Sequence, residues 1–250
     1  MRFSANLGFL WADLPLPAAI RAAKDAGFDA VECHWPYGTP APAVRAALDE
    51  TGLEMLGLNT QRGAPGENGL AALPGRAQDA RAAIEEAVHY AIATRTRSVH
   101  VMAGFAAGPA AHAAFVDNLR FACAMAQRSG ISILIEPLNR HDAPGYFLTS
   151  TDQARDIIQQ IAAPNLRLMF DCYHVQRSEG DVTHRLVDLL PIVGHIQFAS
   201  VPDRGPPDKG ELNYAHVFRV VSELGYASPL GAEYKPKGRT GSSLKWMTAF

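Results

Sequence analysis

The sequence is short of cysteine, of charge imbalance and of long apolar runs, and each shortage excludes a class of protein. Its three cysteines, Cys33, Cys123 and Cys172, are scattered and form no CxxC pair, which argues against a disulfide framework and for a reducing compartment. The formal net charge of −2 gives no electrostatic reason to expect nucleic acid or an anionic membrane as a partner. No apolar stretch is long enough to span a bilayer, so no membrane partner is expected either.

Targeting and nucleotide-binding motifs are missing as well. The segment MRFSANLGFLWADLP lacks the basic-then-apolar layout of a secretory signal, so we expect a cytoplasmic protein. The first apolar run is followed by NLGFLWAD rather than by the GxGxxG of a dinucleotide-binding fold, and no GxxxxGK[ST] phosphate loop occurs. The sequence therefore gives no support for a protein that binds nucleotides through either motif.

What the sequence does contain is a strict alternation of short apolar runs and amphipathic segments. The apolar runs predict eight strands: RFSANL, FDAVECH, LEMLGLN, RSVHVMAG, ISILIEP, LRLMFD, VGHIQFA and PLGAEYK. Seven helices separate them, and SSLKWMTAF is a candidate for a short eighth helix. Because strict alternation implies a parallel sheet and no linker divides the chain, we predict an α/β fold, a single-domain (β/α)8 TIM barrel over residues 1–250. An open, doubly wound sheet is the alternative.

Four oxygen-bearing side chains stand at the ends of the last four predicted strands. They are Glu136 in ISILIEP, Asp171 in LRLMFD, Gln197 in VGHIQFA and Glu233 in PLGAEYK. Active sites of such barrels lie at the carboxyl ends of the strands, so neighbouring strand ends can face one cavity. Three carboxylates in one cavity repel each other unless a cation neutralises them. Since all the donors are oxygen atoms, we expect a hard divalent ion, Mg²⁺ or Mn²⁺, at these four residues.

Other polar residues follow the same strands. His174 comes three residues after the sixth strand and can reach the same cavity, as a substrate donor or as a loop histidine. Arg204 lies just after the seventh strand, and Lys235 comes two residues after Glu233. A cation beside carboxylates and a metal suits a substrate that carries its own carboxylate. A solvated loop charge is the competing interpretation for Lys235. Glu32, at the end of the second strand, is taken as structural, and His195 as a core histidine.

Two features near the strand ends stay open. The segment NTQRGAPGENGLAALPGR, from about Thr60 to Arg76, is long and rich in glycine, and loops of this length are often lids. It is either a lid that excludes water or a merely mobile segment. His100, in the fourth strand, lies either in the cavity or in the barrel core.

Five sequence segments are distinctive as a set: IEPLNRHDAPGYFL, FDCYHVQRSEGD, GHIQFASVPDRGPPDKGELNY and GAEYKP, with ENGLAALPGR in the third loop. Together they resemble the hydroxypyruvate isomerase family, which belongs to the xylose-isomerase-like barrels and includes 2-oxo-tetronate isomerases. The resemblance implies a TIM barrel with a divalent metal on four ligands: Glu136, Asp171, Gln197 and Glu233. It also implies that the two glutamates are acid/base residues, and that His174 and Arg204 contact the substrate.

The resulting hypothesis is a metal-dependent isomerase of a small 2-oxo or hydroxy acid that acts through an enediolate. The reaction would convert hydroxypyruvate to tartronate semialdehyde, or the four-carbon 2-oxo-tetronate equivalent. A ketose 3-epimerase acting on a larger sugar is the alternative. A DNA-repair nuclease of the same superfamily would need a histidine-rich zinc site, which the sequence does not offer, and a non-catalytic sugar-acid binding protein is a further class. We expect a small-molecule partner that carries a carboxylate, and a homo-oligomer stays open.

Overall fold

Every predicted apolar run forms part of one parallel sheet in the computed structural model, which describes residues 1–249. The strands are β1 (Phe3–Asn6), β2 (Ala30–Glu32), β3 (Glu54–Met55), β4 (Gly57–Asn59), β5 (Ser98–His100), β6 (Ser132–Ile135), β7 (Leu166–Asp171), β8 (Val193–Phe198) and β9 (Leu230–Ala232). Their order in the sheet is β3-β2-β1-β9-β8-β7-β6-β5-β4. This order follows the chain around a ring, and the predicted (β/α)8 barrel is confirmed.

The third predicted strand, LEMLGLN, is split into β3 and β4 at Leu56. The backbone N–H of Leu56 donates to the carbonyl of Val31 in β2 at 2.7 Å, and the N–H of Cys33, just after β2, donates to Gly57 in β4 at 3.1 Å. β4 also pairs with β5 on its other side. β3 and β4 therefore occupy one position of the ring, and these bonds close the barrel there.

The helices cover the outside of the sheet, and all of them except α6 match the predicted amphipathic segments. They are α1 (Leu16–Asp25), α2 (Ala41–Thr51), α3 (Ala77–Thr94), α4 (Gly108–Gln127), α5 (Thr151–Ile161), α6 (Cys172–Ser178), α7 (Val182–Leu189) and α8 (Tyr214–Glu223). In place of the short eighth helix predicted for SSLKWMTAF there are two 3₁₀ turns, Thr240–Ser243 and Lys245–Thr248. Phe250 of that prediction lies outside the described residues. Of the helices described, none has the length and apolarity to cross a membrane.

The extra helix, α6, follows β7 without a connecting loop. Asp171 is both the last residue of β7 and the N-cap of α6, and its side chain accepts a hydrogen bond from the N–H of Tyr173 at 2.8 Å. A carboxylate at this position satisfies one of the free N–H groups of the first turn. His174 therefore lies in the first turn of a helix and not in a loop.

The C-terminal turns pack onto the sheet through Trp246. Its side chain is 1% exposed, and its ring makes edge contacts with Phe3 at 4.9 Å and Phe198 at 5.4 Å. The indole N–H donates to the hydroxyl of Tyr234 at 3.1 Å. Because Tyr234 directly follows Glu233, this packing anchors the segment that carries the last of the predicted site residues.

Candidate active site

The four predicted strand-end residues converge at the carboxyl end of the barrel. Glu136 directly follows β6 and Glu233 directly follows β9, while Asp171 and Gln197 are register partners on β7 and β8. All four are buried. Glu136 and Glu233 line a cavity of about 650 Å³. The parallel strands thus place three carboxylates and one amide at one site, as predicted.

Three of these four residues present a buried oxygen atom that has no hydrogen-bond partner among residues 1–249. The atoms are Oε1 of Glu136, Oδ2 of Asp171 and Oε1 of Gln197. Buried polar atoms in native proteins are almost always satisfied, so three unsatisfied oxygen atoms at adjacent strand ends indicate a partner that the described residues do not supply. An all-oxygen donor set fits a hard divalent cation such as Mg²⁺ or Mn²⁺. The residues present therefore fit the implied metal.

The pKa values of two carboxylates support the same conclusion. Burial, together with the charges of Glu233 and Asp171, raises the pKa of Glu136 well above its ordinary value. Burial raises the pKa of Asp171 to about 7, although the nearby Arg204 lowers it. Raised values of this kind indicate negative charge that the protein's own cations do not neutralise.

Glu233 differs from its neighbours because both of its carboxylate oxygens are bonded within the protein. Nη2 of Arg204 donates to Oε2 at 2.5 Å, and Nε2 of His34 donates to Oε1 at 2.9 Å. Burial opposes ionisation, but the positive charge of Arg204 and the bond from His34 outweigh it and hold the pKa of Glu233 well below its usual range. This glutamate is consequently both ionised and fixed in direction.

Arg204 lines the cavity, and the fold holds it firmly. Its guanidinium carbon lies 5.0 Å from the ring centres of Phe9 and Tyr173, and Nη2 lies 3.6 Å from Asp171. The backbone has φ of 52°, an uncommon value for a residue other than glycine, and its N–H donates to the carbonyl of Ser200 at 2.9 Å. Strained backbone of this kind is found preferentially at functional sites.

His174 is positioned as a hydrogen-bond donor toward the carboxylates. Its Nδ1 accepts the backbone N–H of Asn139 at 3.0 Å; since an amide N–H only donates, the ring proton of a neutral imidazole lies on Nε2. Burial lowers the pKa of His174 to about 3, so the ring is neutral. Nε2 lies 3.6 Å from Asp171 and 3.9 Å from Glu136. Ligand atoms of these three residues lie within 4.8 Å of one another, but a protonated Nε2 donates and does not bind a metal.

Glu32, predicted to be structural, and His195, predicted to be a core histidine, belong to the surroundings of the site. Glu32 is 3% exposed, and its carboxylate accepts from Nε2 of Gln197 at 2.7 Å and from His195 at 2.5 Å. His195 is buried, as predicted. His100 lines the cavity, with Nδ1 3.6 Å from Oε2 of Glu136. Glu32 lies at a strand end, as the four predicted residues do, and this position was the one sequence feature that could have placed it at the site.

Two exposed cations line the outer part of the cavity. Lys235 was predicted, and its backbone N–H donates to the carbonyl of Arg204 at 2.7 Å. Arg62 was not predicted: it extends from the loop of residues 60–76, and its guanidinium lies 4.8 Å from the ring centre of Trp35. The glycine-rich loop contains two arginines, Arg62 and Arg76, and nothing in the sequence indicates that Arg62 faces the cavity.

The second half of this loop is fixed by backbone hydrogen bonds. Gly69 N–H donates to the carbonyl of Arg62 at 2.8 Å, and Ala72 N–H donates to Ala103 at 2.7 Å. Gly69 has φ of +112°, and a Cβ there would lie 2.4 Å from the carbonyl oxygen of Met102, so only glycine permits this close approach. The loop forms an ordered wall of the cavity, and its closure as a lid stays a prediction.

The fold and the site together define a barrel enzyme of the xylose-isomerase type. A family model described as "Xylose isomerase-like TIM barrel" matches residues 20–250, and the chain belongs to this family. The chain is 42% identical over 255 residues to 2-oxo-tetronate isomerase of Cupriavidus necator, covering 100% of this chain and 98% of that protein. It is 36% identical over 257 residues to hydroxypyruvate isomerase of Escherichia coli, and the match covers 100% of this chain and 99% of that protein.

A solved structure agrees with these relatives in fold. The crystal structure of a Brucella melitensis protein described as "AP endonuclease, family 2" has a TM-score of 0.95 at 37% identity and covers 100% of this chain and 98% of its own. The predicted family and the prediction of an isomerase enzyme are confirmed by the sequence relatives.

Proposed function

We propose that this isomerase interconverts the ketose and aldose forms of a small acid: hydroxypyruvate and tartronate semialdehyde, or the four-carbon 2-oxo-tetronate pair. The observation that carries the proposal is the pair of buried glutamates, Glu136 and Glu233, on either side of Asp171 and Gln197. The relatives named for these two activities support it, since the match covers 100% of the chain in both cases.

A divalent cation completes the proposed site. The residues that would hold it are Glu136, Asp171, Gln197 and Glu233. When bound, such a cation supplies a Lewis acid that polarises a carbonyl oxygen. Mg²⁺ or Mn²⁺ suits the oxygen donors better than zinc does, because structural zinc sites are rich in sulfur and imidazole.

The two glutamates would move the proton. One carboxylate removes a proton from the hydroxyl-bearing carbon, and the electron pair left behind forms the carbon–carbon double bond of an enediolate while the carbonyl oxygen takes the negative charge. The same or the facing glutamate then returns a proton to the former carbonyl carbon, while the hydroxyl proton passes to the former carbonyl oxygen, so that the original hydroxyl oxygen becomes the new carbonyl oxygen. Nε2–H of His174, which points toward Glu136 and Asp171, can donate to an oxygen of the intermediate.

The carboxylate of the substrate would meet the cations of the cavity. Arg204 lies deepest, where it already pairs with Glu233 and Asp171. Lys235 and Arg62 have no ion-pair partner within the described chain and line the outer cavity. We therefore place the substrate's carboxylate toward Lys235 and Arg62, with Arg204 facing its other oxygen atoms.

A ketose 3-epimerase is the second candidate function, because the cavity is large enough for a sugar. At about 650 Å³ the cavity lies within the range of sites for much larger ligands than a three-carbon acid. The same glutamates could move a proton at a neighbouring carbon of a sugar. Such a substrate carries no carboxylate, so the outer cations would then contribute little.

Proton NMR in D₂O tests the proposal. The purified chain is incubated with hydroxypyruvate, 2-oxo-tetronate and a set of ketohexoses, with Mg²⁺ or Mn²⁺ and with chelator. We expect isomerisation of at least one of the two keto acids with deuterium at the exchanged carbon, and none in the chelated sample. Turnover of a ketohexose alone would select the epimerase, and no exchange with any substrate would contradict both candidates.

A further inference from the structure

Glu32 has no part in the proton transfer, yet its carboxylate accepts hydrogen bonds from three side chains, as many as that of Glu233 accepts. It ends β2 on the opposite side of the ring from β7, and its side chain extends into the barrel. Oε1 accepts from Asn6 at 2.9 Å and from Gln197 at 2.7 Å, and Oε2 accepts from His195 at 2.5 Å. Three donors on two other strands, β1 and β8, thus converge on one buried carboxylate.

We propose that Glu32 is a positioning residue that sets the direction of the Gln197 amide and so makes its carbonyl oxygen a metal ligand. The inference rests on the proposed metal-dependent function. A side-chain amide has a donor end and an acceptor end, whereas a carboxylate only accepts. The end of Gln197 that faces Glu32 must therefore be Nε2, and Oε1 must face away from it. That Oε1 is one of the buried oxygen atoms without a partner among residues 1–249.

The backbone around the pair is shaped to keep it in place. Gly231 on β9 is the register partner of Gln197. A Cβ at Gly231 would lie 2.7 Å from both carboxylate oxygens of Glu32 and 2.8 Å from Cγ of Gln197. These distances are shorter than packed atoms allow, so any larger residue at position 231 would displace both side chains. The strand leaves just enough room for the carboxylate and the amide to meet.

Asn6 extends the influence of Glu32 to a second site residue. Its Nδ2 donates to Oε1 of Glu32 at 2.9 Å and to Oε1 of Glu233 at 3.2 Å, while its Oδ1 accepts the N–H of Gly8 at 2.9 Å. The Asn6 amide is therefore also fixed in direction, with its donor end shared between the two glutamates. Removal of the Glu32 charge would loosen Gln197 directly and Glu233 through Asn6.

The test measures Mn²⁺ affinity on the metal-free protein, by the EPR signal of free Mn²⁺, together with the circular dichroism spectrum and Tm. Glu32→Gln keeps the size but can present a donor or an acceptor to Gln197, so it no longer enforces one orientation. We expect roughly 10–100-fold weaker Mn²⁺ binding, the usual effect of losing an outer partner of a metal ligand. Glu179→Gln is the matched control, because that carboxylate is also bonded within the protein, to Thr151 and Arg185, but lies outside the cavity.

A double-mutant cycle shows whether Glu32 acts through Gln197. In a Gln197→Leu background, Glu32→Gln should weaken Mn²⁺ binding by less than about threefold, since the Gln197 amide is gone and only the indirect effect on Glu233 through Asn6 is left. If Glu32→Gln does not fold, Glu32→Asp is the second variant. It keeps the negative charge but moves the carboxylate away from Gln197, and it should give an intermediate loss of Mn²⁺ affinity. Unchanged Mn²⁺ affinity in a folded Glu32 variant, or an equal loss in the Gln197→Leu background, would overturn the inference alone. Failure of the unmodified protein to bind Mn²⁺ would overturn the proposed function with it.

Discussion

The two halves of the barrel contribute differently to the site. The half formed by β6 to β9 carries the proposed ligands and proton-transfer residues, and three of these have a buried oxygen atom without a partner among residues 1–249. The other half, which begins at β1, carries Asn6, Glu32 and His34, whose side chains are bonded to Glu233 or Gln197 of the first half. The half formed by β6 to β9 offers unpaired oxygen atoms that can bind a cation, and the other half fixes the orientation of side chains in that site.

The two halves therefore hold two kinds of residue: those that would bind the cation or move the proton, and those that orient them. Glu136 and Asp171 each keep an oxygen atom available for a cation or substrate, and burial raises the pKa of both. Glu233 is the exception in this half, because Arg204 and His34 bond both of its carboxylate oxygens and hold its pKa below its usual range. A residue that orients another must instead use its hydrogen-bonding capacity within the protein, as His34 does on Glu233. Substitutions in the two halves should consequently differ in the size and the kind of their effects.

The largest effect is expected from the proton-transfer residues. Glu136→Gln and Glu233→Gln should each lower kcat by roughly 10²–10⁴-fold, the usual contribution of a positioned acid or base. Steady-state turnover of the best keto acid from the NMR panel, with excess Mn²⁺, measures this. Near-normal kcat in both variants, at full metal occupancy, would show that the half formed by β6 to β9 does not perform the chemistry.

A smaller loss is expected from the orienting half. His34→Ala removes the donor to Oε1 of Glu233 and should lower kcat/KM by roughly 10–100-fold, in the range found for residues that orient metal ligands. His184→Ala is the control, because that side chain is 82% exposed and pairs only with Asp181. A loss as large as that of Glu233→Gln would place His34 among the residues that perform the reaction.

The outer cations should affect binding more than turnover. Lys235→Met and Arg62→Met should each raise KM for a keto acid by about tenfold while kcat changes little, since a charge-assisted bond to a carboxylate contributes roughly 1.5–3 kcal/mol. Lys237→Met is the control: its side chain is 81% exposed and pairs with Asp203. Unchanged KM in both variants would favour a substrate without a carboxylate.

The smallest expected effect is on stability, and it is a gain, whereas the preceding substitutions all cause losses of activity or affinity. In chelator, Glu136→Gln should raise the free energy of unfolding by about 1 kcal/mol, or Tm by roughly 2–4 °C, because it removes one of several buried like charges. Differential scanning calorimetry measures the shift, with Glu50→Gln at the surface as a comparison. A fall in Tm would mean that Glu136 stabilises the metal-free protein.

The comparison also explains how far the sequence could predict this site. Strand-end oxygen donors are visible from the apolar runs that precede them, so Glu136, Asp171, Gln197 and Glu233 could be found. Orienting residues are recognised only by what they contact across the ring. Nothing in the sequence shows that β2 and β8 bring Glu32 and Gln197 together.

The fold was predictable for a related reason. Apolar periodicity is local, and it indicates the strands and most helices directly. The split between β3 and β4 depends on how Leu56 and Gly57 bond to β2 at the closure of the barrel. The helix α6 depends on Asp171 acting as an N-cap as well as a strand end. Both features arise from tertiary contacts that a local pattern does not contain.

The most direct test of the central claim measures metal content and turnover in the same sample. Metal-free protein is titrated with Mn²⁺, and bound Mn²⁺ per chain is compared at each step with the rate of keto-acid isomerisation. We predict that the rate rises in proportion to occupancy and levels off at one Mn²⁺ per chain, and that Asp171→Asn weakens both together. Full turnover in protein stripped of metal would contradict the account.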